Sequence, residues 1–324
     1  MTSQTRQKAW IREWIFVQEG FQIKRNYTED LEKLFQCACQ TVDFNEDRDN
    51  AIRSVNAFVE AHTKDNVHDL LLPVDVIPYR TKVILVNALY FRACWEQQFS
   101  PSKTSLKPFT TAEGISVPVE TMHKKFINYK YHESKELGGA MFLELPFTSK
   151  YCSAVFILPG KKKVEKHYQL PWKKKHEEPA SPDQGLAELI NMLTAEKLNH
   201  ALEQLSCALV TVQLPRFRVE QSVDMKHMLI ALGMPTAFDE RKADFSGICN
   251  LFHDRLHIHA VKQKACIDLN EEGMEASVST VVVLSNMGGY DAAEFIADRP
   301  FLFLIRHVAT DTILFMGHVS DPSV

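Results

Sequence analysis

Three histidines, His253, His257 and His259, fall close together in the last third of the chain. On a strand His257 and His259 share a face, and two imidazoles two residues apart can ligate a metal ion. No cysteine or carboxylate completes the set at a diagnostic ligand spacing, so the pattern reads as a polar strand face and implies no metal. The seven cysteines (37, 39, 94, 152, 207, 249 and 266) are scattered and odd in number. Their one close pair, Cys37-Ala-Cys39, lacks CxxC spacing, so the thiols read as free core residues. Serine, histidine and aspartate are all present, but no Gly-x-Ser-x-Gly elbow organises them into a hydrolytic centre. Gly288 and Gly289 sit in neither a GxGxxG nor a GxxxxGK[ST] frame, which removes a phosphate loop and its nucleotide cofactor. Seven lysines between residues 161 and 175 have the charge to hold a polyanion, a sulfated polysaccharide or phosphate. Their interleaving prolines and glutamates fit an ordinary solvated loop as well. Asn26-Tyr27-Thr28 is a glycosylation sequon, which has meaning only in a secreted chain.

The segment with the clearest unassigned chemistry is EEGMEASVSTVVVLSNMGGYDAAEFIADRPF, residues 271–301. Read with period two, Met274, Ala276, Val278, Thr280, Val282 and Leu284 fall on one side, and none is charged. Glu275, Ser277, Ser279, Val281, Val283 and Ser285 fall on the other. The run is about twice the usual strand length of about 5–6 residues. It ends in Asn286-Met287-Gly288-Gly289, which is turn chemistry around an isolated Met. By alternation alone it is also a permanently paired strand.

The elements that must carry this segment follow from the rest of the chain. With 324 residues, 45% of them hydrophobic, there is material for a large core. A net charge of −4 supplies no global field for nucleic acid or membrane. The longest apolar stretches fall far short of the roughly 18–20 residues of a membrane helix, and the N-terminus has no run of signal-peptide type. A strand starts near Trp14. Thr28 is placed to cap a helix that presents Leu31, Leu34, Phe35 and Ala38 on one face. A second helix spans about 47–62 with Ile52, Val55 and Val59 at helical spacing. Residues 82–91 are nearly continuously apolar, which predicts a strand in the middle of a sheet with Asn87 needing partners. Strands are predicted at 141–145, 154–159, 208–217 and 256–269, and a hairpin at 300–319. Helical sequence occupies 186–205, with Thr194 capping its second piece. Residues 161–184 read as an exposed or disordered insert. Many strands with single helices and no βαβ regularity give an α+β fold dominated by largely antiparallel sheets.

At its C-terminal third the chain resembles the serpin family. FIADRPFLFLI (295–305) is similar to the family signature, ILFMGHV (313–319) to its closing strand, and NEEGMEA (270–276) to its hinge. The likeness runs upstream through LVTVQLPRF (209–217), AFD (237–239) with ADFSG (243–247), VNALYF (86–91) with Trp95, and FVQEGF (16–21). The resemblance implies one serpin-like domain over 1–324, with a large central sheet, further sheets and an exposed reactive loop. It implies a monomeric inhibitor of serine proteases that acts as a suicide substrate and needs no cofactor. A protease cleaves the loop to an acyl-enzyme, and the freed loop enters the central sheet as an extra strand. Residues 271–298 are then hinge and loop, with Glu271, Glu272, Gly273, Met274, Glu275, Ala276, Ser277, Val278, Ser279 and Thr280 as the hinge. Family spacing from Gly273 gives Met287-Gly288 as the scissile bond, and Leu284 and Tyr290 are alternatives. All three candidates are uncharged, which implies a chymotrypsin-like or elastase-like target rather than a trypsin-like one. The sheet-opening region falls on Asn87, Trp95 and Gln263. By family the protein is expected to be extracellular, with Asn26 a possible glycosylation site.

Four features depart from the family pattern. Met274 occupies a hinge position where inhibitory serpins usually carry Thr or a small residue, and its bulk can slow insertion. Gln263 replaces a usual histidine. The family's first helices and an early strand do not precede Trp14, so the chain reads as shortened at its N-terminus. The 161–184 insert interrupts what is usually a short turn. These departures keep open a non-inhibitory serpin, that is, a carrier, a chaperone or a simple protease substrate.

Overall fold

The computed structural model describes residues 8–160, 182–249, 256–274 and 292–323. In chain order the elements are β1 (Lys8–Gln18), α1 (Arg25–Asp30), β2 (Ala38–Val42), α2 (Arg48–Thr63), β3 (Val83–Cys94), β4 (Ser105–Thr110), β5 (Ser116–Ser134), β6 (Ala140–Pro146) and β7 (Cys152–Leu158). They continue with α3 (Pro182–Met192), α4 (Ala195–Glu203), β8 (Ser206–Pro215), β9 (Phe217–Asp224), α5 (Lys226–Ala231) and β10 (Ile258–Leu269). Last come β11 (Gly273–Met274), β12 (Ala293–Ile296), β13 (Phe301–His307) and β14 (Ile313–Val319). The fold is α+β. The sequence reading expects one domain; the chain divides into two compact units. One comprises Lys8–Arg92 and Val219–Ile267, the other Ala93–Arg218 and Asp268–Val324. They are called the N-terminal and C-terminal units below.

The N-terminal unit is built on a mixed sheet in the order β2-β1-β3-β10-β9. β1 runs antiparallel to β3, while β1–β2 and β3–β10 are parallel pairs. β3 is central, as its apolar sequence predicts. Its two faces differ. Ile84, Val86 and Ala88 are fully buried with Trp14 and Phe16 against Ala51, Ile52, Val55 and Val59 of α2. Each such side chain contributes roughly 2 kcal/mol by leaving water. Leu85, Asn87 and Leu89 on the other face are only half-buried. α2 starts where its sequence predicts, because the Asp47 carboxylate accepts from the Asn50 N–H at 3.2 Å. The first helix does not. α1 begins at Arg25, with Lys24 in the cap position, and Thr28 lies inside it with its hydroxyl donating to the Arg25 carbonyl at 2.9 Å. The following turn widens to π geometry over Leu31–Phe35, which leaves Leu34 and Phe35 exposed instead of on a core face, and Ala38 enters a strand.

The C-terminal unit carries an eight-stranded sheet in the order β12-β8-β5-β6-β7-β13-β14, with β4 paired to β5. Among the described residues of this sheet, every pairing is antiparallel except β12–β8. α3 and α4 cover β6, β7 and β13 through Leu186, Leu189, Leu198 and Leu202 against Phe142, Ile157 and Leu304. Thr194 caps α4 as expected, accepting from the Lys197 N–H at 3.3 Å. The predicted insert over 161–184 ends early, since α3 already starts at Pro182; residues 161–181 lie outside the described residues. Arg306 of β13 and Glu144 of β6, both almost fully buried, meet at 2.8 Å, and Ser153 of β7 donates to the same carboxylate at 2.5 Å. Burial alone raises the Glu144 pKa, but the hydrogen bonds from Ser153 and Arg306 outweigh it and hold the carboxyl below its ordinary value.

Candidate functional site

The end of β10 leads into the segment singled out from sequence. The chain turns over 270–273, closed by the Asn270 N–H on the Gly273 carbonyl at 2.9 Å. It then comes back antiparallel along the end of β3, Gly273 opposite Cys94 and Met274 opposite Ala93. Gly273 has φ +135°, and a Cβ there would lie 2.6 Å from Cys94 Cα and 2.7 Å from Trp95 N. Only glycine fits so close a backbone approach. Gly273 and Met274, the third and fourth residues of the predicted hinge, are thus strand-paired to the end of β3.

A clasp from residues 95–104 holds this turn. The Trp95 N–H donates to the Glu272 carbonyl at 3.0 Å, and the Phe99 N–H donates to the Glu271 carbonyl at 2.8 Å. Trp95 Nε1 donates to the Asn270 carbonyl at 3.0 Å, and its ring stacks on Phe147 with centroids 4.8 Å apart. The Glu271 carboxylate is buried, accepts from the Thr104 hydroxyl at 2.5 Å and lies 3.6 Å from Arg216 Nε. Gln98 Nε2 reaches the Glu272 carbonyl at 3.4 Å. Beneath the clasp lies Lys124, 9% exposed, which donates to the Gln97 carbonyl and to the Tyr129 hydroxyl and packs 4.5 Å from the Phe99 ring centre. Burial pulls its pKa down to about 7. Gln98, Phe99, Thr104, Lys124 and Arg216 were not singled out from sequence. Nothing in their local pattern marks them, because apart from the Lys124–Tyr129 bond their partners are more than twenty residues away in the chain.

Of the three residues assigned to sheet opening, Trp95 belongs to this clasp. Asn87 and Gln263 are register partners on β3 and β10 of the N-terminal unit. Asn87 donates to Glu13 Oε1 of β1 at 3.2 Å, and its own Oδ1 is buried with no partner among the described residues. Glu13 sits directly opposite Asn87 and competes for its amide. The alternation of Glu13 with Trp14 and Phe16 was the available signal for it. Met287, Gly288, Leu284 and Tyr290, and hinge residues 275–280, lie outside the described residues, as does His253. His257 is buried, and no group of three or more His, Cys, Asp or Glu able to hold a metal ion occurs among the described residues. Asn26 is exposed near the start of α1. No helix among the described residues is long and apolar enough to cross a membrane.

Comparison with known proteins identifies the family of the chain. The family model described as Serpin (serine protease inhibitor) matches residues 1–322. The chain is a serpin. This serpin is 32% identical to mouse antithrombin-III over 311 residues, covering 96% of the chain and 62% of the relative. It is 33% identical to human serpin B10 over 310 residues, covering 95% and 72%. It therefore spans well under the full length of these relatives. Among solved structures it resembles native protease nexin-1 with heparin (TM-score 0.79, 27% identity, 98% of this chain and 78% of that one). It also resembles uncleaved ovalbumin (TM-score 0.78, 26% identity, 98% and 74%).

Proposed function

We propose that this serpin inhibits serine endopeptidases of chymotrypsin-like or elastase-like specificity as a suicide substrate. The observation that carries the reading is the pairing of Gly273 and Met274 with the end of β3. Continued one residue at a time through an inserted segment, that register would set Glu275 opposite Arg92 and Leu284 opposite Val83. The uncharged run would end just where β3 does, so its length suits a strand inserted beside β3. Insertion there separates the parallel β3–β10 pair and puts an antiparallel neighbour on each side of the new strand. Cleavage at Met287-Gly288, or after Leu284 or Tyr290, would free the segment. The acylated protease would be carried off with its catalytic geometry disturbed, so that deacylation stalls.

On the insertion reading, the same register would assign each face of the segment a neighbour row on β3. Ser279, Val281 and Val283 would fall in the row of Ala88, Val86 and Ile84, the row covered by α2. Val278, Thr280 and Val282 would fall in the half-buried row of Leu89, Asn87 and Leu85.

Incubation with chymotrypsin and with elastase, followed by a denaturing gel, tests the reading: a covalent adduct is expected with at least one of them. Loop cleavage with full retention of protease activity would support the second reading, a non-inhibitory serpin, which bulky Met274 favours. Extracellular action, a glycan on Asn26, a monomeric state, a single domain and a polyanion at the 161–184 lysines belong to the same proposal. Deglycosylation of secreted material and heparin affinity of a variant lacking those lysines test two of them.

A further inference from the structure

A cavity of about 600 Å³ opens in the N-terminal unit, at the edge of its sheet, between α2 and the turn that follows α1. Its floor is Trp14 of β1 beside Ala38 of the edge strand β2, and the two are register partners. A methyl side chain level with an indole leaves the space there. One wall is Phe58 and His62, four residues apart on α2 and so on one face. The three rings cluster. Trp14 and Phe58 meet edge to face with centroids 5.7 Å apart, and Phe58 lies 4.0 Å from His62. The other wall is Thr28, Glu32 and Gln36, again at four-residue spacing. The π turn over Leu31–Phe35 carries this row round, with the Gln36 N–H on the Glu32 carbonyl at 3.2 Å. Such widened turns are rare in helices and occur frequently at functional sites.

We propose that this cavity binds a small organic cation, a primary amine carried on an aromatic ring. The inference is independent of the inhibitory reading. The polar groups beside the rings are mainly acceptors. Glu32 forms no ion pair among the described residues, because Arg25 and Lys33, the cations of its own helical segment, lie 2.8 and 3.7 Å from Glu29 instead. The Thr28 hydroxyl gives its proton to the Arg25 carbonyl at 2.9 Å, which leaves its oxygen to accept. His62 Nδ1 lies 2.7 Å from the Phe58 carbonyl, which can only accept, so Nδ1 carries the proton and Nε2 of the neutral ring is an acceptor. Arg12, two residues before Trp14 on the same face, also borders the cavity, but it is already engaged elsewhere. An ammonium group entering here meets a carboxylate and two lone-pair acceptors, and its aromatic tail meets Phe58 and His62. The volume falls within the range of about 300–1,000 Å³ usual for small-molecule pockets.

Calorimetric titration of the full chain at about pH 8, where an ordinary imidazole is neutral, tests this with two probes of one shape, phenethylamine and 3-phenylpropionate. Saturable binding is expected for the amine, at least about tenfold tighter than for the carboxylate. The His62 ring protons, assigned with a His62→Gln variant, should shift along the same curve, which places the amine in this cavity. Glu32→Gln weakens binding about fivefold, the upper end for an exposed pair, and Glu32→Lys abolishes it. Both changes are at an exposed position, where the fold tolerates them. Ala38→Phe fills the space beside Trp14 and also abolishes binding. The site is overturned if the amine does not saturate, if the carboxylate binds as tightly, or if His62 does not follow the titration. It is equally overturned if either Glu32 variant binds like the parent, or if Ala38→Phe, folded by circular dichroism, still binds.

Discussion

Nicking the segment after residue 284 has a calculable effect on stability. Insertion replaces one parallel edge, eight residues paired between β3 and β10, with two antiparallel edges along a strand of about ten residues. At about one bond per residue the net gain is about twelve backbone hydrogen bonds, roughly 12 kcal/mol. Val278, Val281, Val282, Val283 and Leu284 add roughly 10 kcal/mol by burial. Ordering about ten residues costs roughly 15 kcal/mol. The balance is about 7 kcal/mol, or about 15 °C in melting temperature for a protein of this size at about 2 °C per kcal/mol. The assay is a trace of elastase or chymotrypsin, N-terminal sequencing of the cut, and calorimetry of the repurified nicked protein beside the intact one. A nicked form that melts within a few degrees of the intact protein, or below it, refutes insertion, and the inhibitory mechanism with it.

Three further outcomes are expected. Val281→Asp sets a carboxylate against Val86 and the α2 core, which costs several kcal/mol on insertion; each 1.4 kcal/mol or so slows that step about tenfold, and a gel of cleaved product against adduct should shift strongly to cleavage. Lys124→Met has an effect that changes sign with pH. The folded-state pKa of Lys124, about 7, lies below the ordinary 10.5, so the unfolded chain binds the extra proton between those values and the native state gains stability as pH rises through that window. At pH 6 the variant should therefore be more stable by roughly 1–3 kcal/mol, and near pH 10 less stable, because the neutral amine still donates to Gln97 and Tyr129; parallel denaturation curves at the two pH values check this. Glu144→Gln strands the Arg306 charge and should destabilise by roughly 3 kcal/mol, the lower part of the usual range for a broken buried pair because Asp311 still lies 2.7 Å from the guanidinium. The loss should shrink as pH falls through the lowered Glu144 pKa, where the parent carboxylate also protonates.

Much of the architecture was legible in one dimension. The helical spacing of Ile52, Val55 and Val59 and the cap residues Asp47 and Thr194 act within a turn or two of chain, so their outcome can be read locally. Continuous apolar sequence at 83–91 marked a central strand, and the long motifs at 295–305 and 313–319 carried the family likeness. Thr28 misled because its hydroxyl found the Arg25 carbonyl within the helix instead of a cap N–H.

What the sequence by itself determined is the set of periodicities and the alternating run that follows Gly273, with one face free of charge, since these depend on residue type and neighbour spacing alone. Tertiary structure decided which partners those residues meet. It gave Asn87 to Glu13, Glu271 to Thr104 and Arg306 to Glu144, at separations of 74, 167 and 162 residues. It also decided which face of β3 is sealed by α2 and how far an amine in MHKKF is drawn from water. Burial and hydrogen bonding between distant strands set those outcomes, and a side chain's energy in them depends on the dielectric and donors around it, which neighbours in sequence do not supply.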